Sequence, residues 1–311
     1  MNFQQLRIIL EANRNNFNLT QVARALFTSQ SGISKAIKEL EEELGFEIFT
    51  RQGKRLQGFT EPGKSVLDLS FKILENVRNI KDVKEEFSSE DSGQLILATT
   101  HTQARYSLPE LIKSYRESFP EVRFVLHQAS PPEISSMLDS GEADLAIATE
   151  SLKEDPRFVT FPFYHWYHGI VVTANHPLTK KNKLDLEDLS EYPIITYHKG
   201  FTGRAKIDES FEKKKININV VLEALDADVI KAYVALNMGI GIIASMAYDN
   251  DLDTNLVLLD ASNLFPQNTT VLACRKDRVL KGYVAEFASI CLKNLSTEKI
   301  KEMTLSEKFK H

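Results

Sequence analysis

The chain has 311 residues, with 38 Lys and Arg against 43 Asp and Glu, a formal net charge of −5, and 42% hydrophobic residues. This is the composition of an ordinary globular chain with room for two or three folded units. No apolar run approaches the ~20 residues of a membrane span, and Met1 to Leu10 lacks the long apolar core of a secretory signal, so a cytoplasmic protein is expected. The charge is uneven. Residues 1–64 hold 9 basic against 7 acidic groups, a net of +2, and the remainder holds 29 against 36, a net of −7. A mildly basic head on an acidic body is the distribution expected when only the head meets phosphate.

In chain order, a first helix is expected from Phe3 to Asn13, with Leu6, Ile9 and Leu10 turned inward. Leu19 to Leu44 then reads as a helix-turn-helix. Val22, Ala23 and Leu26 form one apolar stripe, and Ile33, Ile37, Leu40 and Leu44 form a second at spacings of three and four. Phe27-Thr28-Ser29 is the break between them, with Thr28 or Ser29 able to cap the second helix. Small Ala23 and Gly32 permit a close helix crossing. The outer face of the second helix carries Gln30, Ser31, Ser34, Lys35 and Lys38, groups that base edges and phosphates in a major groove accept. A solvated helical hairpin is the plainer alternative. The acids fall later, at Glu39 and Glu41 to Glu43, and a second basic group follows at Arg51, Lys54 and Arg55, so DNA binding is preferred. Within this set Gln30, Ser34 and Lys35 are expected at base edges and Lys38, Arg51 and Arg55 at phosphates.

Phe46 to Arg51 and Leu56 to Thr60, turning at Gly53, read as a short hairpin, the wing. Thr60 caps the next helix, with Pro62 in its first turn. From Gly63 to Phe87 the residues Val66, Ile73, Ile80 and Phe87 recur every seven positions, and Leu69, Asn76 and Val83 fill the second heptad position. This a/d seam predicts pairing with a second copy, through Val66, Leu69, Ile73, Ile80 and Val83. A helix lying on its own domain is the plainer reading. Ser88 to Gly93 is a polar hinge.

Beyond it, strands and helices alternate. Strands are expected at Leu95 to Ala98, Val122 to His127 and Asp144 to Ala148, with helices at Tyr106 to Phe119 and Glu133 to Asp139 between them. This βαβαβ order predicts a mostly parallel sheet. A second lobe begins near Phe163, with strands at His168 to Thr173, Pro193 to Thr196, Val220 to Ala224 and Ile240 to Ala244. Its helices span Arg204 to Lys214 and Asp228 to Asn237. The chain returns through Thr269 to Cys274 and ends in a helix from Tyr283 to Leu295. The expected division is a winged head at 1–60, a linker helix and hinge at 61–92, and an effector unit at 93–311. Within that unit, lobe I takes about 93–162 and 267–311 and lobe II about 163–266. Cys274 and Cys291 lack metal-ligand spacing, and Cys274 reads as core.

With these segments assembled, nearly the full chain resembles the LysR-type transcriptional regulators, and within them the CysB subgroup. Thr28-Ser-Gln-Ser-Gly-Ile-Ser-Lys35, Leu40-Glu-Glu-Glu-Leu-Gly45 and Phe49-Thr-Arg51 carry the family pattern. The subgroup shows in Ala98-Thr-Thr-His-Thr-Gln-Ala-Arg-Tyr106, Ala146 to Glu150, Tyr164-His-Trp166, Gly200-Phe-Thr-Gly-Arg204, Asp226 to Lys231 and Ile243 to Ala247. The resemblance implies a winged helix-turn-helix and linker helix followed by a two-lobed α/β, periplasmic-binding-protein-like effector domain. It also implies a homodimer or homotetramer that activates genes of sulfate assimilation and cysteine biosynthesis, with RNA polymerase as a partner. No catalytic residue, metal or tightly held cofactor is expected. The effector would be N-acetylserine or O-acetylserine, with sulfate or thiosulfate as further ligands. A different small anion serving sulfonate or organosulfur use is the alternative.

The implied effector residues are Thr100, Thr102, Gln103, Thr149, Trp166 and Thr202. Their chemistry suits an anion. Thr100 to Gln103 follows a buried strand and opens a helix, where amide N–H groups face outward. Thr149 ends the third strand beside the same crevice. Trp166 would supply an apolar wall and one indole donor, and Lys199 and Arg204 could add charge at the rim. Taken singly, threonines at helix starts are most often caps and a lone tryptophan is most often core. The chain departs from the pattern at Ser31, Tyr167, His168, His198 and Lys199, which bears on base preference and effector choice. His101, His127, His165 and His168 invite an enzyme reading, but none lies in a nucleophile elbow or a metal spacing. A transport-type receptor would share the two lobes but leaves the head unexplained.

Overall fold

Two units follow one another along the chain, Met1–Ser88 and Ser89–His311. The computed structural model describes residues 1–53, 55–87, 92–149, 152–201, 203–276 and 278–305, with only the backbone described for residues 78 and 81–87. Lys54, Thr202 and most of the hinge lie outside the described residues, as do the side chains of Val83 and Phe87.

The head is built from capped helices. Asn2 accepts the Gln5 N–H and closes a capping box on α1 (Phe3–Arg14). Asn18 accepts the Thr20 and Gln21 N–H groups at the start of α2 (Leu19–Ala25). Ser29, the second of the two candidate caps, accepts from Gly32 N at 3.1 Å and starts α3 (Gln30–Leu44). Gly45, at φ 76°, ends that helix in the left-handed conformation glycine tolerates best. The apolar stripes meet in one core of Leu6, Ile8, Ile9, Val22, Ile33, Ile37 and Leu40, closed by Ile48, Phe49 and Leu56. Leu10, expected inward, is only partly buried, and Ile8 is the core residue of that turn. The wing is an antiparallel pair, β1 (Phe49–Gln52) and β2 (Arg55–Phe59).

Thr60 caps α4 (Glu61–Phe87) by accepting the Gly63 N–H at 3.0 Å. The heptad positions of this helix divide. Val66 and Ile73 rest on the head's own core, whereas Leu69 and Ile80 are 57% and 72% exposed. The seam is therefore partly an intramolecular face, because α4 folds back on the head with the first two a positions.

The second unit holds two five-stranded sheets. The first comprises β3 (Gly93–Thr99), β4 (Val122–Gln128), β5 (Leu145–Thr149), β6 (Phe158–Trp166) and β12 (Asn268–Arg275), in the order β4-β3-β5-β12-β6. β3 runs parallel to β4 and β5, and the returning β12 is antiparallel. The second sheet comprises β7 (His168–Thr173), β8 (Ile194–Tyr197), β9 (Val220–Ala224), β10 (Ile240–Ala244) and β11 (Leu256–Asp260), in the order β11-β7-β10-β8-β9. Alternate residues face opposite layers. Ile170, Val172, Ile194 and Ile242 join one buried cluster, and Val171, Ile195 and Ile243 join another.

Several elements depart from the sequence expectation. The helix expected from Tyr106 to Phe119 begins later, as α6 (Pro109–Ser118), and the helix that Thr100 to Gln103 opens is a separate short one, α5 (His101–Tyr106). Pro109 has no N–H to carry the α5 ladder forward. β6 was not foreseen. It is an edge strand, where Pro162 is tolerated at the cost of a register shift against β12. It keeps to the first sheet as far as Trp166, so the chain crosses between lobes at Tyr167 rather than near Phe163. β11 and the short helices α8 (Leu186–Ser190) and α12 (Thr297–Thr304) are also additions, with α7 (Pro131–Asp139), α9 (Arg204–Lys213), α10 (Ala227–Ala235) and α11 (Gly282–Leu292) near their expected places. Cys274 and Cys291 are both buried thiols in the core of the first lobe, and burial pushes them up to about 11 and about 12.

A methyl group at Gly63 would lie 1.9 Å from the Ile48 carbonyl oxygen. Gly63→Ala should therefore destabilise the head by ~1–3 kcal/mol, read as an earlier urea transition of the head with the transition of the second unit unmoved.

Candidate effector cleft and DNA-reading helix

The carboxyl ends of β3, β5, β6, β8, β9 and β10 meet at one cleft, the position where open α/β sheets take ligands. Thr100, Thr102 and Gln103 follow β3, Thr149 ends β5, and Trp166 ends β6. From the other lobe come Tyr197 at the end of β8, Phe201, Leu225 just after β9, and Ala244 at the end of β10. These nine residues line one cleft that is open to solvent. None of them carries a formal charge. Five of the six expected effector residues are thus brought together, and the sixth, Thr202, lies outside the described residues.

Three polar side chains of the cleft, Gln103, Trp166 and Tyr197, are committed within the fold. Thr100 occupies the N-cap position of α5 in extended conformation but makes no capping hydrogen bond. Its hydroxyl and the first-turn amides of α5 are the donors the cleft offers. The Tyr197 phenol accepts the Ala244 N–H at 3.0 Å, and burial outweighs that bond and the influence of the neighbouring Thr102 hydroxyl to push its ionisation upward. Gln103 is buried. Its amide donates to Thr270 Oγ1 at 3.4 Å, and its carbonyl accepts from Ser107 Oγ at 3.0 Å and from the Tyr164 hydroxyl. The indole N–H of Trp166 also donates to Thr270 Oγ1, at 3.1 Å. Trp166 is therefore an apolar wall, and its expected role as a donor toward a ligand is not met in this arrangement.

Gly203 lets the start of α9 approach the wall closely. Gly203 has φ 89°, and a side chain there would fall 2.4 Å from His168 Nε2 and 3.3 Å from Trp166. His168 is buried behind Trp166 with its Nδ1 3.4 Å from Asn268 Nδ2. Burial, with the nearby Lys206 charge, pushes it down to about 3, so it is a neutral imidazole at any physiological pH. Arg204, expected as rim charge, is internal. Its guanidinium donates to Asp208 at 2.7 Å, to Glu223 at 2.7 Å and to the Tyr197 carbonyl at 2.6 Å. Lys199 is exposed. Tyr197, Phe201, Leu225 and Ala244 were missed as site residues, although the ends of β8 and β10 are where the strand-end rule would have placed partners.

In the head, Thr28, Ser29, Gln30, Ser31, Ser34, Lys35 and Lys38 are all exposed. Ser29 is engaged as the α3 cap, and Ser31 lies 3.1 Å from its hydroxyl. Lys35 and Lys38 pair only loosely with Glu39 and Glu42, at 3.7 and 3.5 Å on the surface. Arg51 is tied to α3 through Glu41 at 2.7 Å, and Glu41 also accepts the Ile48 and Phe49 N–H groups. Arg55 is exposed.

The chain matches the model of the bacterial regulatory helix-turn-helix protein, lysR family, over residues 3–64, and that of the LysR substrate binding domain over residues 88–296. The chain belongs to the LysR family of transcriptional regulators. It is 49% identical to the HTH-type transcriptional regulator cbl of Escherichia coli (strain K12), covering 98% of this chain and 96% of that one. It is 51% identical to the regulator SsuR of Burkholderia cenocepacia over 96% of this chain and 97% of that one. Against the regulator CysB of the same species the figure is 43%, over 99% and 98%. The crystal structure of the cofactor-binding domain of the Cbl transcriptional regulator aligns with a TM-score of 0.66 at 47% identity, covering 68% of this chain and 93% of that one. This LysR regulator is thus of the Cbl, SsuR and CysB type. It is a DNA-binding regulator and not an enzyme, and its second unit is a small-molecule effector domain. Among the described residues no helix is long and apolar enough to cross a membrane.

The internal role of Arg204 has a measurable consequence. Arg204→Gln should strip Asp208 and Glu223 of their partner and lower the stability of the effector unit by ~1–3 kcal/mol, whereas Lys199→Gln should leave the urea transition in place.

Proposed function

We propose that this regulator activates genes of sulfate assimilation and cysteine biosynthesis, and that its cleft takes N-acetylserine or O-acetylserine, with sulfate or thiosulfate as further ligands. The observation that carries the reading is the lining of the cleft, where threonine hydroxyls and the open end of α5 meet an apolar wall with no charged side chain. A small oxygen-rich anion is satisfied there by hydrogen-bond donors rather than by a counter-ion. A second reading, a different small anion serving sulfonate or organosulfur use, fits the same uncharged, hydroxyl-bearing lining. Tyr167, beside the cleft wall, and His198 and Lys199, after β8, are the positions that would tune the choice.

The regulator would act on promoter DNA in the cytoplasm as a dimer or tetramer, with RNA polymerase as its downstream partner. Leu69 and Ile80, the exposed heptad positions, and Val83 would meet a second copy, with Val66 and Ile73 flanking the contact. Effector titration tests the cleft. Calorimetry on the full chain should show binding of at least one acetylserine or sulfur anion, and Thr102→Ala should weaken it about fivefold or more. Equal affinity in wild type and variant would place the ligand elsewhere.

The head is tested separately. Gln30→Ala should flatten preference among operator variants, each good base contact being worth ~1–3 kcal/mol. Arg55→Ala should weaken all DNA alike and shallow the salt dependence. If gel shifts showed the same pattern for both changes, the division between base and phosphate contacts would be wrong.

A further inference from the structure

We propose that Asp228 is a positioning residue for the effector cleft, reaching from lobe II to hold the helix of lobe I that presents Thr100, Thr102 and Gln103. The inference rests on the effector reading of that cleft. Asp228 lies in the first turn of α10, and both its oxygens are used across the lobe boundary. Oδ2 is 2.9 Å from His101 Nε2, and Oδ1 accepts the Tyr106 hydroxyl at 2.5 Å. His101 and Tyr106 are the first and last residues of α5. One carboxylate therefore grips both ends of a helix less than two turns long, and three cleft residues belong to that helix or its cap.

The lobe II side of this latch is itself braced. Lys231, one turn along α10, donates to the Tyr106 hydroxyl at 3.0 Å, to the Ala247 carbonyl at 2.7 Å and to Asp253 at 2.8 Å. The Tyr106 ring packs against the apolar cluster of lobe II that includes Ile195, Tyr197 and Ile230. Asp226 joins His101 and Asp228 within 4.8 Å, but the trio does not read as a cation site. Asp226 caps α10 by accepting the Val229 N–H at 2.9 Å, and His101 Nδ1 is already 3.0 Å from Gln128 Oε1.

The latch is sensitive to pH. Both ring nitrogens of His101 face oxygen acceptors, an arrangement that only the imidazolium fills with two donors. The charged groups around it are Asp226, Asp228 and Lys231 from α10 and Arg105 from its own helix, with the neutral Gln128 from β4. Burial works to lower its proton affinity. The bonds to Asp228 and Gln128 and the field of the two aspartates outweigh burial, so it titrates above its ordinary 6.5. Burial likewise opposes the Asp228 charge, and Tyr106, His101 and Lys231 overcome it, so its carboxyl titrates below the ordinary range. A raised histidine stabilises the closed form below 6.5 and loses that contribution as pH rises through its raised value. A depressed carboxylate loses its contribution only in acid. The latch should be strongest between about pH 5 and 6.5 and slacken as pH rises above that range, through the raised value of His101.

The chain supplies its own reporter, because Trp166 is its one tryptophan. It is 7% exposed and faces Tyr197, Phe201 and Ala244 across the cleft. Acrylamide quenching of the ligand-free, full-length protein at pH 6 should be low in wild type. It should rise about twofold or more in Asp228→Asn and in Tyr106→Phe, which removes one hydroxyl and leaves the ring, and return toward wild type in Asp228→Glu. Wild-type quenching should climb between pH 6.5 and 8.5, and His101→Ala should be high and flat over that range. Sulfate and N-acetylserine, titrated separately, should bind Asp228→Asn at least fivefold more weakly than wild type. Unchanged quenching and an unchanged pH profile in both Asp228→Asn and Tyr106→Phe would overturn the latch. If quenching responds as expected while neither probe binds wild type, the latch stands and the effector reading fails.

Discussion

Two sheets share one cleft because the chain crosses between them at the base. Tyr167 separates the last residue of β6 from the first of β7, and residues 261–267 carry the return from β11 to β12. Everything that distinguishes a closed cleft from an open one must therefore be supplied by side chains at the carboxyl ends of the strands. Those ends gather cap positions, first-turn amides and short loops, which are directional donors that need no formal charge. A cavity walled by Thr100, Thr102, Thr149 and Trp166 on one side and Tyr197, Phe201 and Ala244 on the other is the outcome.

The polar groups around this cavity divide into those that build it and those left for a ligand. Thr270 accepts from both Gln103 and Trp166 and so fixes the wall from a strand that returns late in the chain. Arg204 and Glu223 fix the end of β8, and the Tyr197 phenol is held by the Ala244 N–H. What remains for a ligand are threonine hydroxyls, Thr100 among them, and the first-turn amides of α5. A site of this kind offers directional, uncharged donors rather than a counter-ion. The same short helix also bears the contacts to Asp228 and Lys231, so binding at its start and the set of the lobes are mechanically joined.

The head follows a different logic. Its exposed α3 face is polar and weakly basic, and one of its ion pairs, Glu41 with Arg51, ties the wing to α3 instead of advertising charge. Orientation of the wing is thereby fixed by groups the fold itself supplies. The net charge of the whole chain gives no hint of this, because acidic residues of the second unit mask it.

Local information carried far. The stripes Val22, Ala23 and Ile33, Ile37, Leu40 specified the two helices of the head, and Ser29 and Thr60 marked helix starts, because caps and 3.6-residue periodicity act within a few positions. The βαβαβ order of the first lobe followed from alternating runs, and five cavity residues came from motifs that matched the family. The sequence alone did not reveal β6, whose Pro162 only an edge position tolerates, or that α4 lays Val66 and Ile73 on its own head. Nor did it show that Arg204 is buried, or that the Trp166 donor is taken by Thr270. The His101–Asp228 pair joins residues 127 apart in the chain, and the Gln103–Thr270 bond joins residues 167 apart. Periodicity and capping report what each segment does to itself. Which distant side chain completes a hydrogen bond is decided only when the sheets have stacked and the strand ends converge.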